Sequence, residues 1–265
     1  MSWFGRWRRA RILARHAIPP KAFDTALARL PILHRLDASE RTRLREAASL
    51  FIHDKAFSAA GGAEVDATIQ LAIALQACLL TLNLGEDSYR SWSEIILYPD
   101  EFLRLREEMD EAGVVHRSRD ILAGESWLGG PLVLSLADVE ASGHADGFNV
   151  VLHEFAHKLD MLNGDANGFP PLHRGMDAAA WGRDFSSAYE DLCSRVDTGE
   201  DTAIDPYATA NPAEFFAVLT EVFFETPHLL DAEYPAVYRQ LQQFYRQHPL
   251  AATPFGQPLE SHEHD

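Results

Sequence analysis

Cysteine is scarce in this sequence, which has only Cys78 and Cys193 among its 265 residues. The pair forms neither the framework of a small disulfide-rich protein nor a CxxC metal-binding knuckle. Cys78 lies within the apolar run of residues 71–82, so we expect its thiol to be buried. The cysteine content therefore argues against a disulfide-stapled scaffold and is compatible with a reducing compartment.

Long apolar segments are also missing. The longest run, residues 71–82, is too short for a membrane-spanning helix, which needs about 20 apolar residues. Residues 1–19 contain neither the apolar core of a secretory signal peptide nor a small-residue cleavage site. We therefore predict a cytoplasmic protein.

The first residues combine aromatic and basic side chains. Five arginines precede the first acidic residue: Arg6, Arg8, Arg9, Arg11 and Arg15. With Trp3, Phe4 and Trp7 they could touch a membrane surface or a partner. A terminal arm that is packed or frayed is the favoured interpretation, so membrane contact is predicted to be the exception.

Basic residues are few relative to acidic ones. The chain has 23 basic and 40 acidic residues and a net charge of −17. Such a chain is repelled by phosphate backbones, so we predict no direct contact with nucleic acid. Solubility is the simpler explanation of the acidic surface. Attraction of a basic partner or substrate is the weaker one.

The pattern along the chain predicts an α+β fold that is mainly helical. Apolar residues at helical spacing predict helices at 39–50, 66–84, 148–163, 178–196, 212–224 and 235–247. Short apolar runs between turn residues predict strands at 93–98, 114–116 and 132–136. We predict an N-terminal helical arm over residues 1–60, a main domain over 61–252 and a flexible tail over 253–265.

The motif that carries chemistry is HEFAH, residues 153–157. On a helix, His153 and His157 share one face one turn apart, so both imidazoles can reach a single Zn²⁺ ion. Glu154 is offset from His153 by about 100°, which suits a general base acting on a water at the metal. A surface helix that contains HExxH by chance is the alternative, but the apolar flanks of this segment argue against it.

A third zinc ligand is expected in the apolar segment 207–221. A carboxylate among apolar residues is costly unless it is paired or binds a metal, and this segment has Glu214 and Glu221. They lie about 10 Å apart along a helix, so only one can be a ligand and the other is a hydrogen-bond acceptor or a plain carboxylate. Tyr207 could donate its hydroxyl to the oxyanion of the reaction intermediate.

The segments VVLHEFAHKLD and YATANPAEFFAVLTEVFF resemble the Mlc titration factor A family of gluzincin-like metallopeptidases. Further matches are GESWLGGPLVLS, DGFNVVLHEFAHKLDMLNGD and QFYRQHPL, and the resemblance extends over roughly residues 31–250. The catalytic domain of anthrax lethal factor is similar more distantly. In both, a tyrosine precedes the glutamate ligand by seven residues, which here selects Tyr207 and Glu214.

The resemblance implies a zincin-like domain with a small sheet beside the HExxH helix and one zinc ion per chain. It implies an aminopeptidase-like activity on peptides or amino-acid amides, and binding to the Mlc repressor of the glucose phosphotransferase system. It also implies that His116 can close on the metal as a fourth ligand in a shielded state. An ordinary, solvated or hydrogen-bonded histidine is the alternative for His116.

Two further elements surround the predicted site. The strand formed by Leu132, Val133, Leu134 and Ser135 is expected to be the sheet edge along which a peptide substrate lies, or else plain sheet core. Asp160 is expected either to orient an imidazole or to cap the end of the motif helix. A regulatory binding protein with a structural or latent zinc site remains the alternative to an enzyme. It would need the ligands but not the base Glu154.

Overall fold

The computed structural model describes residues 3–99, 107–109, 115–117 and 130–251. Its helices are α1 (Trp3–His16), α2 (Pro20–Arg29), α3 (Ala38–Asp54), α4 (Ala67–Thr81), α5 (Leu136–Ala141), α6 (Val150–Asp160), α7 (Ala178–Asp197), α8 (Pro212–Glu225), α9 (Pro227–Glu233) and α10 (Pro235–Tyr245). The strands are β1 (Ala56–Ala59), β2 (Glu94–Tyr98), β3 (Glu107–Met109), β4 (Val115–Arg117) and β5 (Leu132–Ser135). The prediction of a mainly helical α+β fold is confirmed.

The main sheet is small and parallel, with strand order β1-β2-β5. Ile95 of β2 is paired with Leu132 of β5, and Phe57 of β1 is paired with the same Ile95 from the other side. Within the residues that the structure describes, β5 is therefore an edge strand. Strands β3 and β4 form a separate antiparallel pair.

Helix α4 forms the centre of the N-terminal half. Asp66 caps it by accepting hydrogen bonds from the backbone N–H groups of Thr68 and Ile69. Its residues from Ile73 to Leu80 are almost completely buried, because α3 and α2 cover one side and α6 the other. A helix that is apolar all round is expected to be enclosed in this way.

Aromatic side chains hold α6 and α8 in place. Phe155 of α6 lies 5.1 Å from the ring of Tyr89 and 5.6 Å from that of Trp92. On the far side of α8, Trp181 of α7 stacks on Phe185 at 4.3 Å between ring centroids. One aromatic cluster thus packs against α6, and the other packs against α8 through the contacts of Trp181 and Phe185 with Phe216.

Several boundaries differ from the sequence-based expectation. Helix α3 begins after Asp37 rather than Ser39, because Asp37 and Glu40 form a reciprocal capping box. Strand β1 was not predicted, and the segment AFSA has neither strong alternation nor a β-branched residue. The subdomain boundary near residue 60 stays a prediction, and the tail 253–265 lies outside the described residues.

In the part of the chain that the structure describes, no helix combines the length and the apolar character needed to cross a lipid bilayer.

Candidate metal centre

Helix α6 presents the HExxH motif. Asn149 caps its first turn by accepting a hydrogen bond from the backbone N–H of Leu152 at 2.9 Å. The rings of His153 and His157 lie on one face with centroids 4.8 Å apart. The side chain of His153 is only 2% exposed, whereas that of His157 is 13% exposed. Among the residues that the structure describes, the His157 side of the site is therefore the more exposed one.

Helix α8 contributes the carboxylate. Asn211 caps the helix and Pro212 is its first residue, which places Glu214 within the first turn. The helix packs along α6, so Glu214 faces both histidines. Glu214 accepts a hydrogen bond at 2.9 Å between its Oε2 and His153 Nε2, and its Oε1 lies 3.4 Å from His157 Nε2.

Three ligand-type atoms therefore converge on one point. The two Nε2 atoms of His153 and His157 are 3.2 Å apart, and His153, His157 and Glu214 form the metal-binding cluster of the described residues. In a tetrahedral zinc site with bonds of about 2.0–2.1 Å, neighbouring ligand atoms are separated by roughly 3.3 Å. The spacing fits a zinc ion, which the two imidazoles and the carboxylate would hold.

Glu221 lies behind the cluster, not within it. Its Oε1 is 2.8 Å from Nδ1 of His153, and its Oε2 accepts the backbone N–H of Asn149 at 2.6 Å. When Nδ1 of His153 donates to Glu221, Nε2 is left for the metal, and this is the usual carboxylate–histidine arrangement of metal sites. The two glutamates of α8 thus lie on different sides of His153, with Glu214 at Nε2 in the cluster that could hold a metal ion and Glu221 at Nδ1.

The cluster of His153, His157 and Glu214 stabilises a positive charge on an imidazole. Burial acts to lower the pKa of His153, but the hydrogen bonds to Glu214 and Glu221 outweigh it and raise the pKa to about 10. Burial acts in the opposite direction on Glu214, whose pKa the two histidines nonetheless hold well below its usual range. A proton on His153 therefore stabilises the cluster without metal, and a bound cation would displace it.

A buried polar network, which the sequence did not predict, extends from Asn149. Its Nδ2 group donates to Gln76 Oε1 at 2.7 Å and to Glu225 Oε1 at 2.6 Å. Burial raises the pKa of Glu225, which favours its neutral form. Asn149 thereby joins α4, α6 and α8 at the back of the site. The sequence signal for this network is a polar residue, Asn149, at the start of a buried helix.

Asp160, at the end of α6, is hydrogen-bonded to the loop that follows the helix. Its Oδ2 accepts the backbone N–H groups of Asn167 and Gly168, each at 2.7 Å. These two hydrogen bonds tie the loop after α6 to the end of the helix. Gly168 has a φ of 76° and lies against the carbonyl of Pro212, which a Cβ atom would approach to 2.4 Å. Through this loop the end of α6 supports the start of α8.

The two residues expected to act on the substrate flank the cluster. Glu154 is half-buried on α6, next to His153 in sequence but on the adjacent face of the helix. Tyr207 lies in a short 3-10 turn before α8, with its ring 6.2 Å from that of His153. The ring of Tyr207 therefore lies beside the cluster.

The remaining predicted residues lie on the sheets. His116 is on β4, paired with Glu108 of β3, but its side chain lies outside what the structure describes. In β5, Leu132 and Leu134 are buried in the core and Val133 is half-buried. The strand reaches α6 through Lys158, whose Nζ donates to the carbonyl of Gly130 at 3.1 Å.

Comparison with known proteins agrees with this geometry. The family model described as glucose-regulated metallo-peptidase M90 matches residues 4–246. A protein of Escherichia fergusonii named Mlc titration factor A is 41% identical over 234 residues, which cover 88% of this chain and 87% of that protein. The Mlc titration factor A of Salmonella arizonae is 42% identical over 232 residues, covering 86% and 91% of the two chains. The predicted resemblance is confirmed, and the chain belongs to the glucose-regulated metallo-peptidase M90 family.

Proposed function

We propose that this protein is a zinc-dependent peptidase in which His153, His157 and Glu214 bind the ion. The observation that carries the proposal is the convergence of His153, His157 and Glu214, whose ligand-type atoms lie within 4.8 Å of one another, beside a glutamate that is not part of the cluster. A structural zinc site is usually closed by four protein ligands, whereas a catalytic site leaves one position open. Three ligands next to an open side fit catalysis better.

The residues around the cluster have complementary roles in this proposal. When bound, zinc supplies a Lewis acid that makes a water molecule acidic near neutral pH. Glu154 accepts a proton from the attacking water and returns it to the leaving amine. Tyr207 donates its hydroxyl to the oxygen of the cleaved carbonyl as charge develops there. Glu221 holds His153 in the orientation that directs Nε2 into the site.

The substrate is proposed to be a short peptide or an amino-acid amide, cleaved in an aminopeptidase-like reaction. Strand β5 has an unpaired edge among the described residues, and an extended peptide could add to it by main-chain hydrogen bonds. Since Leu132 and Leu134 point into the core, the backbone of β5 rather than these side chains would make the contact.

The test combines metal analysis with hydrolysis of a panel of amino-acid amides. Protein purified without chelator is expected to contain one zinc per chain and to release the free amino acid. Glu154→Gln should retain zinc and lose hydrolysis, because only the base is removed. Glu190→Gln, an exposed position on α7, is the matched control and should behave as the wild type. Equal activity of the two variants would refute the role of Glu154.

A regulatory function is the second candidate. The named relatives are Mlc titration factors, which supports a contact between this chain and a repressor of the Mlc type. The two functions are separable, because the Glu154→Gln variant should still bind a repressor if binding does not require turnover. Loss of repressor binding upon zinc removal, with no hydrolysis of any amide by the zinc-loaded protein, would instead favour a purely regulatory zinc site.

A further inference from the structure

Helix α1 exposes three large aromatic side chains to solvent. Trp3, Phe4 and Trp7 are 71%, 67% and 48% exposed, and they are the large hydrophobic residues exposed in the described part of the chain. Their ring centroids lie 6.4 Å and 5.9 Å apart in sequence order. Exposed apolar residues usually occur singly on a soluble protein, and a cluster indicates a contact surface.

The cluster is fixed to the protein. Helix α1 packs on α3, and Ile12 is buried between them. Arg8 forms an ion pair with Asp54 at 2.6 Å and Arg9 forms one with Glu46 at 2.5 Å. The sequence alone favoured a packed or frayed arm, but in the structure the helix is packed while its first two turns point their aromatic rings outward.

Charge is distributed very unevenly along the chain. The first 55 residues contain 12 of the 23 basic and five of the 40 acidic residues, a net charge of +7. The other 210 residues contain 11 basic and 35 acidic residues, a net charge of −24. The aromatic cluster is therefore located in the one positive region of a strongly acidic protein. A partner for this surface should be anionic.

We propose that α1 docks this protein on an anionic lipid surface. Tryptophan and phenylalanine next to arginine are the residues of helices that lie in the membrane interface, where the rings enter the headgroup layer and the guanidinium groups meet lipid phosphates. Arg11 already lies over the ring of Trp7 at 5.3 Å, so ring and charge would enter the interface together.

A lipid surface explains the aromatic cluster better than nucleic acid does. The three rings are exposed on the outer side of α1, whereas proteins that bind single strands stack the bases on aromatic rings along a positively charged groove. Residues 56–265, which have a net charge of −24, would be repelled by a long polyanion. A membrane, in contrast, can be approached by the positive side of the protein alone. Since α1 contacts α3 and not the metal cluster, docking should be independent of the proposed peptidase activity.

The experiment is co-sedimentation of the full chain with vesicles of phosphatidylcholine alone or with 30% phosphatidylglycerol. Binding is expected only to the anionic vesicles, and it should weaken as salt rises. Replacing Trp3, Phe4 and Trp7 together by serine should reduce partitioning at least tenfold without lowering the melting temperature, because all three are exposed. Equal binding of this variant, or no binding of the wild type to anionic vesicles, would overturn the proposal.

Two double variants that change the net charge equally test the electrostatic contribution to vesicle binding. Arg11→Glu with Arg15→Glu and Arg183→Glu with Arg239→Glu each change the net charge by −4, but only the first pair is on α1. A basic residue near an anionic surface contributes about 1 kcal/mol, which is about fivefold in affinity, so the first pair should lose roughly 25-fold or more. Equal losses in both pairs, or tighter binding to a DNA oligonucleotide than to vesicles, would refute the proposal.

Discussion

Replacement of Glu221 by glutamine tests how the metal centre is oriented. Both groups that face the Glu221 carboxylate are donors, namely Nδ1–H of His153 and the backbone N–H of Asn149. A glutamine has one oxygen and one NH₂ group, so it can satisfy only one of them. If its oxygen remains with Asn149, its NH₂ group faces His153 and can be accommodated only when Nδ1 of that ring has no proton.

The consequence for the metal is specific. A neutral His153 with an unprotonated Nδ1 carries its proton on Nε2, the atom that lies 2.9 Å from Glu214 and would bind zinc. The variant can therefore fold with the wrong tautomer, but it must then give up a hydrogen bond to bind the ion. Loss of such an orienting carboxylate typically reduces metal affinity 10- to 100-fold, or about 1.4–2.8 kcal/mol.

Zinc affinity can be measured by competition with a chromophoric chelator, with thermal melting as a check that the variant is folded. Glu225→Gln is the matched control. It is also a buried glutamate of α8 bonded to Asn149, but burial raises its pKa toward the neutral form and it does not touch His153. Unchanged zinc affinity in Glu221→Gln would refute the orienting role. If Glu221→Ala lost zinc while Glu214→Ala retained it, the third ligand would be Glu221.

Four other changes have defined outcomes. His153→Ala should abolish stoichiometric zinc in metal analysis, because the most buried donor of the cluster is lost. Tyr207→Phe should retain zinc and lower kcat about 10²–10³-fold, the usual effect of removing one oxyanion donor, and an unchanged kcat would mean that the ring is merely packed. His116→Ala should retain zinc and raise basal hydrolysis if His116 closes the site, whereas unaltered basal activity would argue against closure. Gly168→Ala should lower the free energy of unfolding by more than about 1 kcal/mol in urea titrations, because its φ of 76° and the nearby carbonyl of Pro212 leave no room for a Cβ atom.

The ligand pair on α6 could be predicted from the sequence because it depends only on helical spacing. His153 and His157 must share a face if the segment is a helix, and its apolar flanks predict one. The choice between Glu214 and Glu221 could not be made from spacing, since both lie on nearly the same face of α8. It depends on how far α8 is shifted along α6, which is a property of packing between segments about 60 residues apart.

The contacts between elements that surround the site were harder to predict from the sequence. The hydrogen bonds of Asn149 require three helices to meet. No local sequence pattern predicts that Gln76 of α4 and Glu225 of α8 accept hydrogen bonds from the same side-chain amide. Strand β1 was missed because AFSA is stabilised by its pairing with β2 rather than by its own composition. The exposure of Trp3 and Trp7 likewise follows from which face of α1 is covered by α3.

The division of the ligands between α6 and α8 has a consequence for how the protein is made. During synthesis His153 and His157 leave the ribosome well before Glu214, which comes roughly four-fifths of the way along the chain. A nascent chain therefore offers only a two-histidine site while α1 to α6 are already available to fold. With the proposed ligand set, we expect full zinc affinity only when α8 has been synthesised and has packed beside α6.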